Sequence, residues 1–180
     1  MVISVDELTE ACCRARPLFP VLPVSPGKTI ASSLPVRETA ITPAQIELVK
    51  SSWLKILLFA NDAAALFYGR LFELAPEVEP LFKNDVTVQG RKLIQMLNTI
   101  VANLDNPGAI LQPVRDLGVR HLGYGVTEKH YGAVEQALLW MLEQGLGTEF
   151  NNNLRAAWIE TYATLADIMK TAAAEAAAER

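Results

Sequence analysis

The chain has 180 residues, enough for one domain with a sizeable core. Apolar residues make up 51% and charged residues 20%, and a net charge of −4 with a pI near 5.2 argues against a nucleic-acid groove, since Lys50, Lys83, Arg91 and Lys92 are scattered among acids. No run approaches the roughly 18 apolar residues of a membrane span, so neither nucleic acid nor membrane is an expected partner.

Residues 1–40 stand apart. The stretch "RPLFPVLPVSPGKTIASSLPV" is rich in proline and serine and lacks helical periodicity. Each proline removes a backbone donor and restrains its predecessor, which predicts a disordered extension. Asp6, Glu7 and Glu10 precede any basic residue and no apolar core follows them, so the start does not read as a secretory signal. The two cysteines, Cys12 and Cys13, are adjacent; a bridge between neighbours strains the intervening peptide, and no zinc spacing is present. A reducing cytoplasm is the expected location.

Order begins at "ITPAQIELVKSSWLKILL". Thr42 is placed to cap a helix, Pro43 suits its first position and Gln45 completes a capping box. Ile46, Val49, Trp53 and Leu57 form one apolar face. Asn61 and Asp62 interrupt, and "AAALFYGRLFEL" makes a second helix. Pro76 opens a short third turn, "PEVEPLF", followed by a polar loop, "KNDVTV". The next helix is "QGRKLIQMLNTIVANL", ended by "DNPG". "AILQPVRDLGVRHLGYG" is helical with a break near Pro113. Thr127 caps the following helix, which carries Tyr131, Val134, Leu138, Met141 and Leu142, and "GLGTEF" closes it. Asn151 caps the last helix, with Leu154, Trp158, Leu165 and Ile168 facing inward. No segment alternates like a strand, so the chain reads as all-α with about seven helices. The domain spans 41–173, and the alanine-rich tail 174–180 extends its last helix or frays.

Two histidines occur in the chain, and one of them, His121, ends the "PVRDLGVRH" helix. Leu117 lies one turn before it and Val114 two turns before, so the imidazole shares an apolar face. Such a histidine is either a core residue donating to a carbonyl or a metal ligand; a single axial imidazole is enough to hold a haem. A haem also needs an apolar slot. Tyr68 sits on a helix face with Ala64, Leu71 and Phe72. Gln89 lies one turn before Leu93, on the face of Met96, Leu97 and Ile100, while Lys92 projects outward. Taken singly, Tyr68 is also an ordinary half-buried tyrosine and Gln89 a helix-start residue.

In combination these stretches resemble a globin over about Thr42 to Thr171. The similarity is to single-domain bacterial globins, kin to flavohaemoglobin haem domains and neuroglobin. Trp53 falls in the first helix. "LFYGRLFELAPEVEPLF" resembles the passage from second to third helix, "QGRKL" the start of the distal helix, and "LGVRHLGYGVTEKHYGAVEQALLWMLEQGLG" the proximal segment. "FNNNLRAAWIETYATLADIM" resembles the last helix.

The resemblance implies a three-over-three helical sandwich holding haem b, with His121 as the proximal iron ligand. It implies Phe82 packed on the haem face, Leu117 and Val126 against the porphyrin, and Leu93 in the apolar distal wall. Tyr68 and Gln89 would form the distal pocket in place of the family's common histidine, with Lys92 in Gln89's role if the short preceding loop shifts the alignment by one turn. An O–H and an N–H donor suit a diatomic ligand that takes up negative charge, O₂ more than CO. Tyr131 matches a tyrosine that supports the proximal histidine in flavohaemoglobins, and Glu175 falls near the partner glutamate. His130 does not match the ligand position and is expected to be exposed. The implied function is reversible binding of O₂, NO and CO. The alternatives are NO dioxygenase, or a nitrite or peroxide reaction at the same iron, and a gas sensor acting through a partner. No GxGxxG fingerprint is present, so turnover is expected to need a separate reductase. A monomer or weak homodimer is expected.

Overall fold

Capping chemistry sets the helix starts. The Thr42 side chain accepts from the Gln45 backbone N–H at 3.3 Å, and the Thr42 N–H donates to Gln45 Oε1 at 2.9 Å, which closes a capping box with Pro43 at the first helical position. The computed structural model describes residues 41–82 and 85–179. The expected extension over 1–40, with Cys12 and Cys13, lies outside the described residues. Six α-helices follow from there: α1 Pro43–Ile56, α2 Ala60–Leu74, α3 Val86–Ala102, α4 Pro107–Gly123, α5 Glu128–Leu146 and α6 Asn152–Ala178. Short 3₁₀ turns cover Leu57–Phe59, Pro76–Leu81 and Gly147–Glu149, and no strand occurs among the described residues. The seventh predicted element, "PEVEPLF", is the second of these turns; its two prolines, Pro76 and Pro80, keep it from becoming an α-helix.

Several boundaries differ from the sequence expectation. The break after α1 comes at Leu57–Phe59, so Asn61 and Asp62 lie inside the first turn of α2. The supposed loop "KNDVTV" contains the start of α3: Asp85 accepts from the Thr87 N–H at 2.8 Å and caps a helix beginning at Val86. That cap outweighs the weak helix propensity of two valines and a threonine. Gln89 is therefore one turn into the helix, not at its open end. Pro113 does not break α4, which runs continuously from Pro107 to Gly123. On α1 the buried set is Val49, Ser52, Trp53 and Ile56, while Leu57 and Ile46 are half-buried. On α6, Thr161, Ala166, Met169 and Ala172 join Leu154 and Trp158 in the core, whereas Leu165 and Ile168 are half-buried.

The helices form two layers of three, α1, α3 and α4 over α2, α5 and α6, with α4 lying along α6 and α2 held between α3 and α5. Two tryptophans centre the core. The rings of Trp53 and Trp158 lie 5.9 Å apart, and each indole N–H is satisfied, by Asn98 Oδ1 at 3.2 Å and Ser52 Oγ at 3.0 Å. Two glycines permit close approaches. A Cβ on Gly118 would collide with the Met169 backbone, so only glycine lets α4 pack against α6 there. A Cβ on Gly90 would stand 2.7 Å from the Ala64 Cβ, which marks the crossing of α3 over α2. In contrast, α3 and α4, consecutive in the chain, do not pack along each other. No helix among the described residues is long and apolar enough to cross a membrane.

Candidate functional site

On the α4 side, His121 occupies the last helical turn. Leu117 and Val114, the residues below it on the same face, are buried. The imidazole Nδ1 lies 2.8 Å from the Leu117 carbonyl oxygen, which can only accept. Nδ1 therefore carries the proton and donates, and the Nε2 lone pair is left for a metal. Burial pushes the pKa of His121 below its ordinary value; the bond to Leu117 opposes this, and the Arg120 charge adds to the lowering. Both effects keep the ring neutral, the form that binds iron. Two aromatic rings flank it: Tyr124 at 6.2 Å and Tyr131, near-parallel, at 6.5 Å between centroids.

The chain leaves α4 two residues after His121. Val126 donates its N–H to the His121 carbonyl at 3.1 Å, and Gly125, at φ +74°, makes the reversal that a side chain would strain. The turn leaves Val126 half-buried, beside Leu122 in a cavity of about 230 Å³ that Tyr131, Lys170, Glu128 and Ala173 also line.

Tyr68 on α2 is buried in an aromatic cluster. Its ring lies 5.1 Å from Phe67, 5.8 Å from Phe72 and 5.3 Å from Phe82, and Phe72 and Phe82 are themselves 5.5 Å apart. Burial pushes the Tyr68 phenol well above its ordinary range, so its hydroxyl remains a proton donor. Gln89 on α3 is half-buried, and its Oε1 is buried without a hydrogen-bond partner. Both residues lie near the Ala64–Gly90 crossing in sequence: Tyr68 is one helical turn beyond Ala64, and Gln89 adjoins Gly90. Leu93, Met96 and Leu97 on α3 are half-buried apolar residues, and Lys92 is half-buried as well.

Two expectations about neighbouring residues change. His130 is not exposed: its side chain is only 15% accessible. It completes a capping box at the start of α5, with Nδ1 accepting from the Thr127 N–H at 3.1 Å and Nε2 3.7 Å from Glu77 Oε1. An imidazole can serve at that third helical position because it offers the acceptor that a glutamine usually supplies there. Glu175 does not support the proximal histidine; it forms an ion pair with Arg115 at the surface, where exposed Glu175 has a cation within reach. The face of Tyr68 and Phe72 was legible in the sequence, but Phe67 as a member of that cluster was not, nor were Tyr124 and Tyr162. Tyr124 follows the ligand by three residues, a usable signal. Tyr162 is 31 residues from the group it binds, and nothing local announces that contact.

An unpartnered amide oxygen inside the fold and, on an apolar helix face, an imidazole whose Nε2 is left free by the bond at Nδ1 are groups that fit a haem. An all-helical fold with these groups defines the class of globular haem-pocket proteins. The globin family model matches residues 65–169, and the chain belongs to the globin family, whose prosthetic group is haem b. Among curated proteins it is similar to the flavohemoproteins of two Xylella fastidiosa strains, Temecula1 and 9a5c, at 30% and 29% identity over 134 residues. Those matches cover 73% of this chain and 34% of each relative, so the chain spans about a third of their length. Among solved structures it resembles an engineered carbene transferase made from a Rhodothermus marinus protein assigned as a nitric oxide dioxygenase. The TM-score is 0.69 at 28% identity, over 77% of this chain and 96% of that one.

Proposed function

We propose that this globin reversibly binds O₂, and also NO and CO, with His121 holding the iron and Tyr68 and Gln89 as donors on the opposite side. The observation that carries this reading is the buried, unpartnered Gln89 Oε1 on α3 next to the Ala64–Gly90 crossing, with Tyr68 buried on α2 one turn beyond Ala64. A buried amide oxygen left without a partner costs about 1–3 kcal/mol; a diatomic ligand has no proton to offer that oxygen, so the amide would serve it by turning its NH₂ end inward. Haem, when bound, would supply an iron able to take a diatomic ligand and lend it electron density. His121 presents Nε2 to that iron while the Leu117 carbonyl fixes the ring. Tyr68 donates its O–H to the partial negative charge on O₂. Gln89 donates from the NH₂ end of its amide, whose two ends exchange places by a half-turn. Phe82 and Leu93 shield the pocket from water, and Leu117 and Val126 pack beneath.

A second reading is NO dioxygenase, in which O₂ held at the site converts NO to nitrate. The kinship with flavohemoproteins and with the Rhodothermus protein favours it. Each turnover consumes one electron from a reductant, so a reductase would be the partner. Stopped-flow mixing of the oxygenated protein with excess NO, with and without an added reductase and reduced nicotinamide, separates the two. A gas binder consumes about one NO per haem in either case. Sustained NO loss with the reductase would replace binding with catalysis as the function.

A further inference from the structure

One buried titratable group has no part in the pocket as described. Tyr162, on α6, points its phenol into the α5–α6 contact and donates to the backbone carbonyl of Tyr131 at 2.8 Å. Burial pushes its pKa far above the ordinary range, with Glu135 and Tyr131 adding to the shift, so the O–H donor persists at all working pH values. Tyr131 lies in the first turn of α5, where the helix has only just left the turn that follows the proximal ligand. Its ring is near-parallel to the His121 imidazole, 30° between planes and 6.5 Å between centroids. That separation is within the range of offset aromatic stacking.

We propose that Tyr162 is a positioning residue for the proximal histidine: by tethering the Tyr131 backbone to α6, it holds the Tyr131 ring against the His121 imidazole and so sets the imidazole's rotation. The inference rests on the reading that His121 is the iron ligand. The Leu117 carbonyl fixes one edge of the ring through Nδ1, but a single hydrogen bond leaves the imidazole free to swing about it. A flat neighbour on one face removes that freedom. Because Tyr131 opens a helix, its backbone would move with the fraying of the first turn unless something outside α5 anchors it. Glu77 holds the side chains of Lys129 and His130 in that turn, while Tyr162 anchors the backbone at Tyr131 itself; its own position is firm, since Trp158 one turn earlier is buried in the core.

The test is resonance Raman spectroscopy of the ferrous haem-loaded protein, read at the iron–histidine stretching band, with Tm measured alongside. Tyr162→Phe keeps the ring and loses only the hydrogen bond; Tyr131→Leu removes the stacked ring; Tyr131→Phe keeps it. Tyr162→Phe and Tyr131→Leu should shift or broaden the band in the same sense, and Tyr131→Phe should leave it in place. Adding Tyr162→Phe to Tyr131→Leu should produce no further change, because the tether then holds nothing that touches the imidazole. A band unmoved by Tyr162→Phe, whatever happens to Tm, would make Tyr162 a purely structural residue and overturn the proposal. So would an additive effect in the double variant. A wild-type spectrum with no iron–histidine band would instead reject His121 as ligand, so the two failures are distinguishable.

Discussion

Substituting alanine for His121 is expected to give folded protein that retains little haem. The iron would lose the one strong protein ligand the pocket offers, because His130, the other histidine of the chain, is engaged at the start of α5 by the Thr127 N–H and lies near Glu77. The fold itself loses little: the His121 side chain contributes one bond to a backbone carbonyl and sits at the edge of the core. His130→Ala is the control. It should lower stability by about 0.5–2 kcal/mol through loss of a helix cap while leaving the haem spectrum unchanged. Haem content per chain, measured by pyridine haemochrome after purification in excess haem, checks both. Equal haem retention in His121→Ala and wild type would remove His121 from the site.

The second large effect concerns the rate at which O₂ leaves. Tyr68→Phe keeps the aromatic cluster of Phe67, Phe72 and Phe82 intact and deletes one hydroxyl. Gln89→Leu keeps the bulk of the side chain and deletes the amide. A hydrogen bond to a charged group contributes about 1.5–3 kcal/mol, so each change should raise the O₂ dissociation rate by roughly one to two decades. CO gathers little negative charge, and its rates should move much less. Gln89→Leu should also raise stability of the ligand-free protein slightly, since it removes a buried amide oxygen with no partner. Unchanged O₂ release in both variants would mean that the distal donors lie elsewhere.

What the sequence reveals and what it hides follow from where each interaction is encoded. The proximal side is written in consecutive residues: a helix that ends in His121, a carbonyl four residues earlier, and a glycine at positive φ four residues later. Local rules suffice to find it. The Thr42 and Asn151 caps are visible for the same reason, since cap and acceptor lie within three residues. The start of α3 was hidden because β-branched residues after Asp85 read as loop, yet one side-chain cap and the packing of Gly90 on Ala64 decide the matter. The role of His130 was hidden because imidazole is an uncommon partner in a capping box. Glu175 misled by count alone: an alanine-rich helix fixes the spacing of a side chain but not its partner, and Arg115 on α4 takes it. The tether from Tyr162 to Tyr131 joins two helices and has no sequence signature.

The measurement that bears most directly on the site is the optical spectrum of the haem-reconstituted protein, ferric and then ferrous, before and after CO. Tyr68 and Gln89 are the distal residues of the proposed pocket, and neither a protonated phenol nor an amide is a strong ligand for ferrous iron. The ferrous protein should therefore be five-coordinate and high-spin, and should bind CO in a single phase whose rate rises linearly with CO concentration. A low-spin, six-coordinate ferrous spectrum before any gas is added, with CO binding limited by departure of an internal ligand, would contradict the Tyr68–Gln89 pocket and require a second protein ligand on the iron.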